Sequence, residues 1–318
     1  MLEHFTSKYQ PKLLTDFTIN EELIDIIKTL TTMDNLNILF IGNSGSGRSS
    51  LIQAIIREYY GEDVTLNHDN ILTINTLKEQ GISYYRSEVK IFCQTSSLIK
   101  DKKKILVLDD IDIINEQSQQ VFRNCIDKYS SNVVFLASCS NSQKVIESLQ
   151  SRMNVLNIKS PNESQLKSIA DKIIQNENIK LDADVVSFIV KVCNGSIRIL
   201  INYLEKFKLL NTKINFDLAN KVCTNISFIE LEKYTTFCKN NDLINALKLI
   251  NSLIIKGYSV TDILDSYFTF VKITETLEEE KKYQIIPLLC KYIAIFHDIH
   301  EDEIELAFFT NNLITLLQ

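Results

Sequence analysis

The stretch Gly42-Asn43-Ser44-Gly45-Ser46-Gly47-Arg48-Ser49 constrains this chain more than any other segment of its length. It follows a strand-like run, Asn37 to Ile41, and opens a helix-patterned segment, Ser49 to Tyr60. A glycine-rich turn in that setting lets backbone N–H groups curl around a phosphate, and the helix N-terminus adds partial positive charge. The competing reading is an ordinary Gly/Ser turn; the strand before it and the helix after it argue against that. Gly42 through Ser50 are therefore candidate phosphate-binding residues, with the Ser49 hydroxyl a candidate Mg²⁺ ligand. Arg48 stands where such loops carry lysine. A lysine ammonium is a compact charge that fits between β- and γ-phosphates, whereas guanidinium is planar and larger. Arg48 can neutralise phosphate but is expected to position the γ-phosphate less well.

The rest of the first half repeats the same alternation. Strand-like runs at Asn70–Ile74, Lys104–Leu108, Asn132–Ala137 and Asn154–Ile158 are separated by helical patterns at Ser83–Gln94 and Glu116–Tyr129. Continuously apolar strands between helices predict an α/β domain with a parallel sheet covered on both faces. At Ser160 the pattern changes. Ser160-Pro161-Asn162-Glu163 reads as a capping box with Pro at the first helical position, and only helices are expected beyond it. Between Asp242 and Lys256, Leu243, Ala246, Leu247, Ile250, Leu253 and Ile254 fall on one helical stripe. Gly257 is placed to end that helix in a left-handed conformation, and Ser259-Val260-Thr261-Asp262 to start the next. The expected domains are 1–159, 160–225 and 226–318, with the last boundary near Asn225.

Composition agrees with this plan. A chain of 318 residues can hold two or three domains, and only 7 Gly and 3 Pro favour helices over short strands. No apolar run reaches the ~18 residues of a membrane span, and Met1-Leu2-Glu3-His4 does not open a secretory signal. The 7 cysteines include no Cys-x-x-Cys pair and are expected to be buried thiols in a reducing compartment. With four histidines, none near a cysteine at ligand spacing, a zinc site is not expected. The net charge of −6 argues against a broadly basic DNA-coating surface, so phosphate contact would need a local basic face.

Two acids complete the first candidate site. Leu106-Val107-Leu108-Asp109-Asp110 ends the third strand, and carboxylates at the C-terminal tip of a central parallel strand face a phosphate loop. Asp109 is the expected Mg²⁺ partner. Asp110 stands where a glutamate commonly polarises the attacking water. It is one methylene shorter, and a misplacement of ~1 Å can cost ~10²-fold in rate.

Several segments resemble the small subunits of replication factor C, the AAA+ sliding-clamp loader. The run Phe135 to Arg152 resembles the passage from sensor 1 to the Ser-Arg-Cys motif, with Met153 in place of Cys. Lys8-Tyr9-Gln10-Pro11-Lys12, followed by Leu14 to Phe17, resembles the family's Lys-Tyr-Arg-Pro box with Gln10 replacing Arg. Gln119 to Arg123 resembles the central helix, Gly195-Ser196-Ile197-Arg198 the sensor 2 motif, and Gly257 to Ile263 a collar segment. The resemblance runs nearly end to end in the family's motif order.

It implies an AAA+ nucleotide-binding domain, a helical lid and an all-α collar that joins a ring of subunits, as in a hetero-pentamer. It implies ATP and Mg²⁺ as cofactors. It also implies a sliding clamp and primer–template DNA as partners, no membrane, and a nuclear setting in a eukaryotic cell or a cytoplasmic or host-cell one for a virus. Arg152 would be an arginine finger reaching the neighbouring subunit's nucleotide. Arg198 would contact phosphate from the lid, and Tyr9 and Pro11 would line the nucleotide site. Ser140 aligns with the sensor 1 Asn, and Asn141 follows it. Arg48, Asp110 and Ser140, which would act on this subunit's own ATP, all depart from the family, while Arg152 is kept. The resemblance therefore implies binding with slow turnover. Arg86, Lys90 and Arg123 lie on helices that line the channel of such loaders and would track DNA phosphates; a solvated helix face is the alternative. Lys102-Lys103-Lys104 reads as a solvated loop. Ile91 and Phe92 resemble the clamp-touching region, with core burial equally compatible. Two other readings stay open: a nucleotide-binding scaffold without hydrolysis, and another AAA+ replication or repair ATPase.

Overall fold

A computed structural model describes residues 4–17, 21–33, 36–61, 69–75, 82–223, 226–274, 276–298 and 302–318. Met1–Glu3 and the expected boundary at Asn225 lie outside the described residues. The chain forms two compact units: Met1–Asn176 with Gly195–Glu205, and Glu177–Asn194 with Lys206–Gln318.

The first unit is built on a five-stranded sheet, with β1 (Ile38–Ile41), β2 (Ile71–Asn75), β3 (Lys104–Asp109), β4 (Val133–Cys139) and β5 (Asn154–Asn157) in the order β2-β3-β4-β1-β5. Every pairing is parallel. The two-residue period of a strand sends side chains to opposite faces. In β4, Val133, Phe135, Ala137 and Cys139 enter one core with Leu106, Leu108 and Phe122, while Val134 and Leu136 enter another with Phe40, Ile52 and Ile56. All seven β4 residues are buried. That explains the continuous apolar run. The edge strand β5 alternates instead between half-buried and exposed residues.

Two strands run past their expected ends. The third expected strand stops at Leu108 and the fourth at Ala137, because a polar residue ends each apolar run. In the fold β3 includes Asp109, and β4 includes Ser138 and Cys139. Ser138 is fully buried and its hydroxyl is hydrogen-bonded, so its polarity costs the strand little.

The expected capping box at Ser160 is displaced by two residues. The helix is Glu163–Glu177, and Asn162 caps it: Asn162 Oδ1 accepts from Gln165 N at 2.9 Å, and Gln165 Oε1 accepts from Asn162 N at 3.0 Å. Asparagine caps as well as serine does, which leaves Ser160 Oγ to accept from Asn43 Nδ2 at 3.1 Å. The lysine run is also corrected. Lys104 begins β3, as the expected strand did, but it is buried rather than solvated, its Nζ donating to the Phe92 carbonyl at 3.3 Å and lying 4.4 Å from the Phe92 ring centre. Six cysteines are buried as expected, but Cys290 is exposed.

One buried side chain ties the sheet's C-terminal loops together. Gln119, on the helix Glu116–Tyr129, donates Nε2 to the carbonyls of Ile111, Ile114 and Lys144 and accepts from Ile146 N. The turn after β3 and the loop after β4 are thereby fixed to one helix.

The second unit is helical. Its core gathers Leu231, Tyr234, Ala246, Ile250, Leu253, Tyr267, Leu289 and Phe309. The stripe expected from the sequence is the buried face of the helix Leu243–Ile255. Gly257 ends that helix at φ +97°, with Tyr258 N donating to the Leu253 carbonyl at 3.3 Å. Ser259 to Asp262 start the helix Val260–Ile273 as expected, and Ser259 and Asp262 form a capping box there. Among the described residues no helix is long and apolar enough to cross a membrane.

Replacing Gln119 by Leu removes every one of these loop contacts while keeping an apolar body in the site. Urea denaturation should show a loss of about 2–4 kcal/mol, the scale of orphaning several buried polar groups. An unchanged transition would mean that the loops hold their positions without this side chain.

Candidate nucleotide-binding site

The glycine-rich turn follows β1, and its backbone depends on glycine at two points. Gly47 takes φ +97° and caps the helix Arg48–Tyr60. Gly45 takes φ +78°, and a Cβ there would fall 2.1 Å from Ser196 Oγ. The Gly45 carbonyl accepts from Ile197 N at 3.1 Å, so the turn and the Gly195–Arg198 segment meet along their backbones. Between them lies a cleft of about 500 Å³, within the range of small-ligand sites. Tyr9, Pro11, Gly45, Ser46, Gly47, Ser49, Ser50, Asp109 and Arg198 all line it. Ser44, Arg48 and Asp110 line an adjoining cleft of about 310 Å³. Gly42 and Asn43 sit at the root of the turn, where Asn43 holds Ser160. Two polar atoms of the turn, Ser46 Oγ and Arg48 Nη1, are buried with no hydrogen-bond partner among the described residues. Buried donors left open in this way suit an anion.

The acids converge on the start of the same helix. Ser49 Oγ donates to Asp109, at 2.9 Å from Oδ2 and 3.2 Å from Oδ1. A hydroxyl beside a carboxylate is an all-oxygen donor set of the kind that suits Mg²⁺. Asp110 takes a left-handed backbone, φ 52° and ψ 53°, uncommon for a residue with a side chain. Its carboxylate is partly exposed and is held on one side by a cation. Oδ1 lies 2.9 Å from Nη2 of the buried Arg48. Burial nonetheless raises the Asp110 carboxyl above its usual range; Arg48 opposes the rise, and the charges of Asp109 and Asp112 add to it.

Ser140 and Asn141 are not brought to this pair. Ser140 Oγ donates to Asp112 Oδ2 at 3.0 Å, and Asn141 N donates to the same oxygen at 3.0 Å. The Asn141 side chain accepts from Gln143 N. The residue that does reach Asp109 from β4 is Ser138, two places earlier, and the sequence reading passed over it. Parallel pairing of Leu108 with Ala137 sets Asp109 beside Ser138, a register that a single sequence does not carry. Gln53 and Lys172 also line the cleft unforeseen. Gln10 Nε2 donates to Gln53 Oε1 at 2.7 Å and to Ser50 Oγ at 3.3 Å.

Comparison with known proteins agrees with this geometry. A model of the ATPase family associated with various cellular activities (AAA) matches residues 38–160, and a model of the replication factor C C-terminal domain matches residues 229–293. Together they cover more than half of the chain. The chain joins an AAA ATPase domain to a replication factor C C-terminal domain, and it is similar to replication factor C small subunits. It is 28% identical over 268 residues to the replication factor C small subunit of Methanocella arvoryzae, covering 84% of this chain and 82% of that one. It is 28% identical over 296 residues to replication factor C subunit 4 of Saccharomyces cerevisiae, covering 92% and 88%. Among solved structures, the Thermotoga maritima RuvB Holliday junction branch migration motor shares the fold at a TM-score of 0.54 and 16% identity, covering 72% of this chain and 79% of that one.

The remaining candidates lie away from the cleft. Arg152 Nε pairs with Asp127 Oδ1 at 2.5 Å, and its Nη1 donates to the Ser148 carbonyl at 2.6 Å. Arg123 Nε is 3.9 Å from the other oxygen of the same carboxylate. The proposed finger and one proposed DNA contact therefore share Asp127. Arg86 and Lys90 are exposed one turn apart on the helix Ile82–Gln94, which packs on the helix Glu116–Tyr129. Ile91 is 55% exposed, whereas Phe92 is half-buried beneath Lys104.

Removing the Asp110 carboxylate leaves Arg48 buried without its anion. Asp110→Ala should cost about 1–3 kcal/mol in thermal or urea unfolding, less than orphaning a fully buried charge because Asp110 is partly solvated. Asp110→Ala as stable as the parent would show that the ion pair contributes little to the fold.

Proposed function

We propose that this protein is an ATP-binding subunit of a sliding-clamp loader that places the clamp on primer–template DNA during replication. The observation that carries the nucleotide reading is the Ser49–Asp109 hydrogen bond at the mouth of a glycine turn with two buried polar atoms that have no partner among the described residues. Ser46, Arg48 and the backbone of the turn bind phosphate, with Arg198 adding charge from the other side of the cleft. Ser49 and Asp109 hold Mg²⁺, which when bound neutralises charge on the phosphates during transfer to water. Tyr9 and Pro11 wall the nucleoside end. The other subunits form a ring with this chain, and Arg152 supplies positive charge to the neighbour's nucleotide. Arg86, Lys90 and Arg123 follow the phosphates of the DNA.

This subunit's own turnover is slow. A base that activates water needs a free carboxylate oxygen within reach. Asp110 is short, and one oxygen is engaged by Arg48. The ion pair also favours the second reading, a scaffold that binds nucleotide without hydrolysing it.

The deciding measurement is ATP binding and hydrolysis by the isolated chain with Mg²⁺, with and without primed DNA. Binding with little turnover is the expected result. Asp109→Ala should abolish the Mg²⁺ dependence of binding. The paired change Arg48→Lys with Asp110→Glu should raise turnover by tenfold or more, on the scale of general-base contributions of ~10²–10⁴. Brisk DNA-stimulated turnover by the unaltered chain would reject the slow-turnover reading. Absence of any binding would reject the ATP reading.

A further inference from the structure

We infer that Ser138 is a positioning residue for the metal-binding carboxylate, setting how much Mg²⁺ the subunit needs to hold its nucleotide. The inference rests on the ATP/Mg²⁺ reading above and concerns a residue that neither the glycine turn nor the acidic pair includes.

β4 lies between β1, which leads into the glycine turn, and β3, which ends in Asp109. A side chain from β4 therefore fills the space beneath the site. Its register alternates, and the residue that points there is Ser138, opposite Phe40 on β1 and next after the Leu108–Ala137 pair on the β3 side. Ser138 is fully buried, and its hydroxyl is used in both senses. It donates to Asp109 Oδ1 at 2.5 Å and accepts from Asp110 N at 3.0 Å.

Each bond has a separate consequence. The first fixes the rotation of the Asp109 carboxylate, and Ser49 then meets Oδ2 at 2.9 Å. The second holds the amide of a residue whose left-handed backbone is costly, so it braces the turn that carries Asp110. A hydroxyl is the smallest group that can donate to one neighbour and accept from the next. Alanine can do neither, and a thiol does both poorly. Groups that orient a metal ligand from behind typically change metal affinity by ~10–100-fold when removed.

The test uses the full chain and a fluorescent ATP analogue, titrated with Mg²⁺ and also measured in EDTA. Ser138→Ala and the near-isosteric Ser138→Cys should each raise the Mg²⁺ concentration for half-maximal binding by about 10-fold or more, with affinity in EDTA unchanged. Ser138→Thr, which keeps the hydroxyl, should return the requirement toward the parent's. An unchanged Mg²⁺ requirement with only a lowered melting temperature would make Ser138 a packing residue and overturn the inference. So would an equal loss of affinity with and without Mg²⁺, or parent-like behaviour of Ser138→Cys. Failure of the underlying reading is visible separately, as a parent chain whose nucleotide binding ignores Mg²⁺.

Discussion

The chemistry proposed for the first unit depends on β4 lying between β1 and β3. In an open parallel sheet, groups at the carboxyl ends of the strands face the crevice where the chain order changes direction. Here that crevice lies above β1, β4 and β3. The glycine turn leaves β1, Asp109 and Asp110 leave β3, and β4 supplies Ser138 between them. All seven residues of β4 are buried, so the strand that spaces the site is also the strand most fixed by the core. A displacement of β4 would move the two acids relative to the helix that starts at Arg48.

The helix Glu116–Tyr129 extends this order outward. Gln119 holds the loops that carry Asp112 and Ser140. Arg123 and Asp127 follow on the same helix, and Asp127 holds Arg152. One helix thus holds the turn that follows Asp110 and, through Asp127, both Arg123 and the proposed finger. Its buried side, with Phe122, Cys125 and Ile126, packs into the sheet core and fixes the helix against the strands.

Arg48 and Asp110 are best understood together. Relative to the lysine and glutamate common at these places, the cation is longer and the acid shorter. The combined reach is nearly conserved, but the charges now meet each other at 2.9 Å. Burial pushes the Asp110 carboxyl up, and the guanidinium offsets only part of that rise. A half-buried carboxylate engaged by a buried cation has less freedom to turn toward water than an unpaired one. The ion pair that stabilises the loop is therefore also the contact that, in the proposed reading, keeps turnover slow.

The sequence alone determined the strand–turn–helix setting of Gly42–Ser49, the alternation that builds a parallel sheet, the helical second half and the acids at the end of β3. These are local properties: glycine at positive φ, apolar period and strand ends are written in neighbouring residues. The capping of Leu243–Ile255 by Gly257 and of Val260–Ile273 by Ser259 belongs to the same class. The tertiary structure decided what lies across the sheet. Ser138 reads as the polar end of an apolar run, and its role follows only from β3–β4 register. Ser140, expected near the phosphates, is drawn to Asp112 by a turn that Gln119 holds from another helix. Lys104, read both as the first residue of the third strand and as part of a solvated lysine run, does begin β3 but is buried, its ammonium donating hydrogen bonds to the Phe92 carbonyl and the Thr95 hydroxyl. Register, and the partners that make a buried polar group affordable, arise between segments far apart in the chain, and no local pattern encodes them.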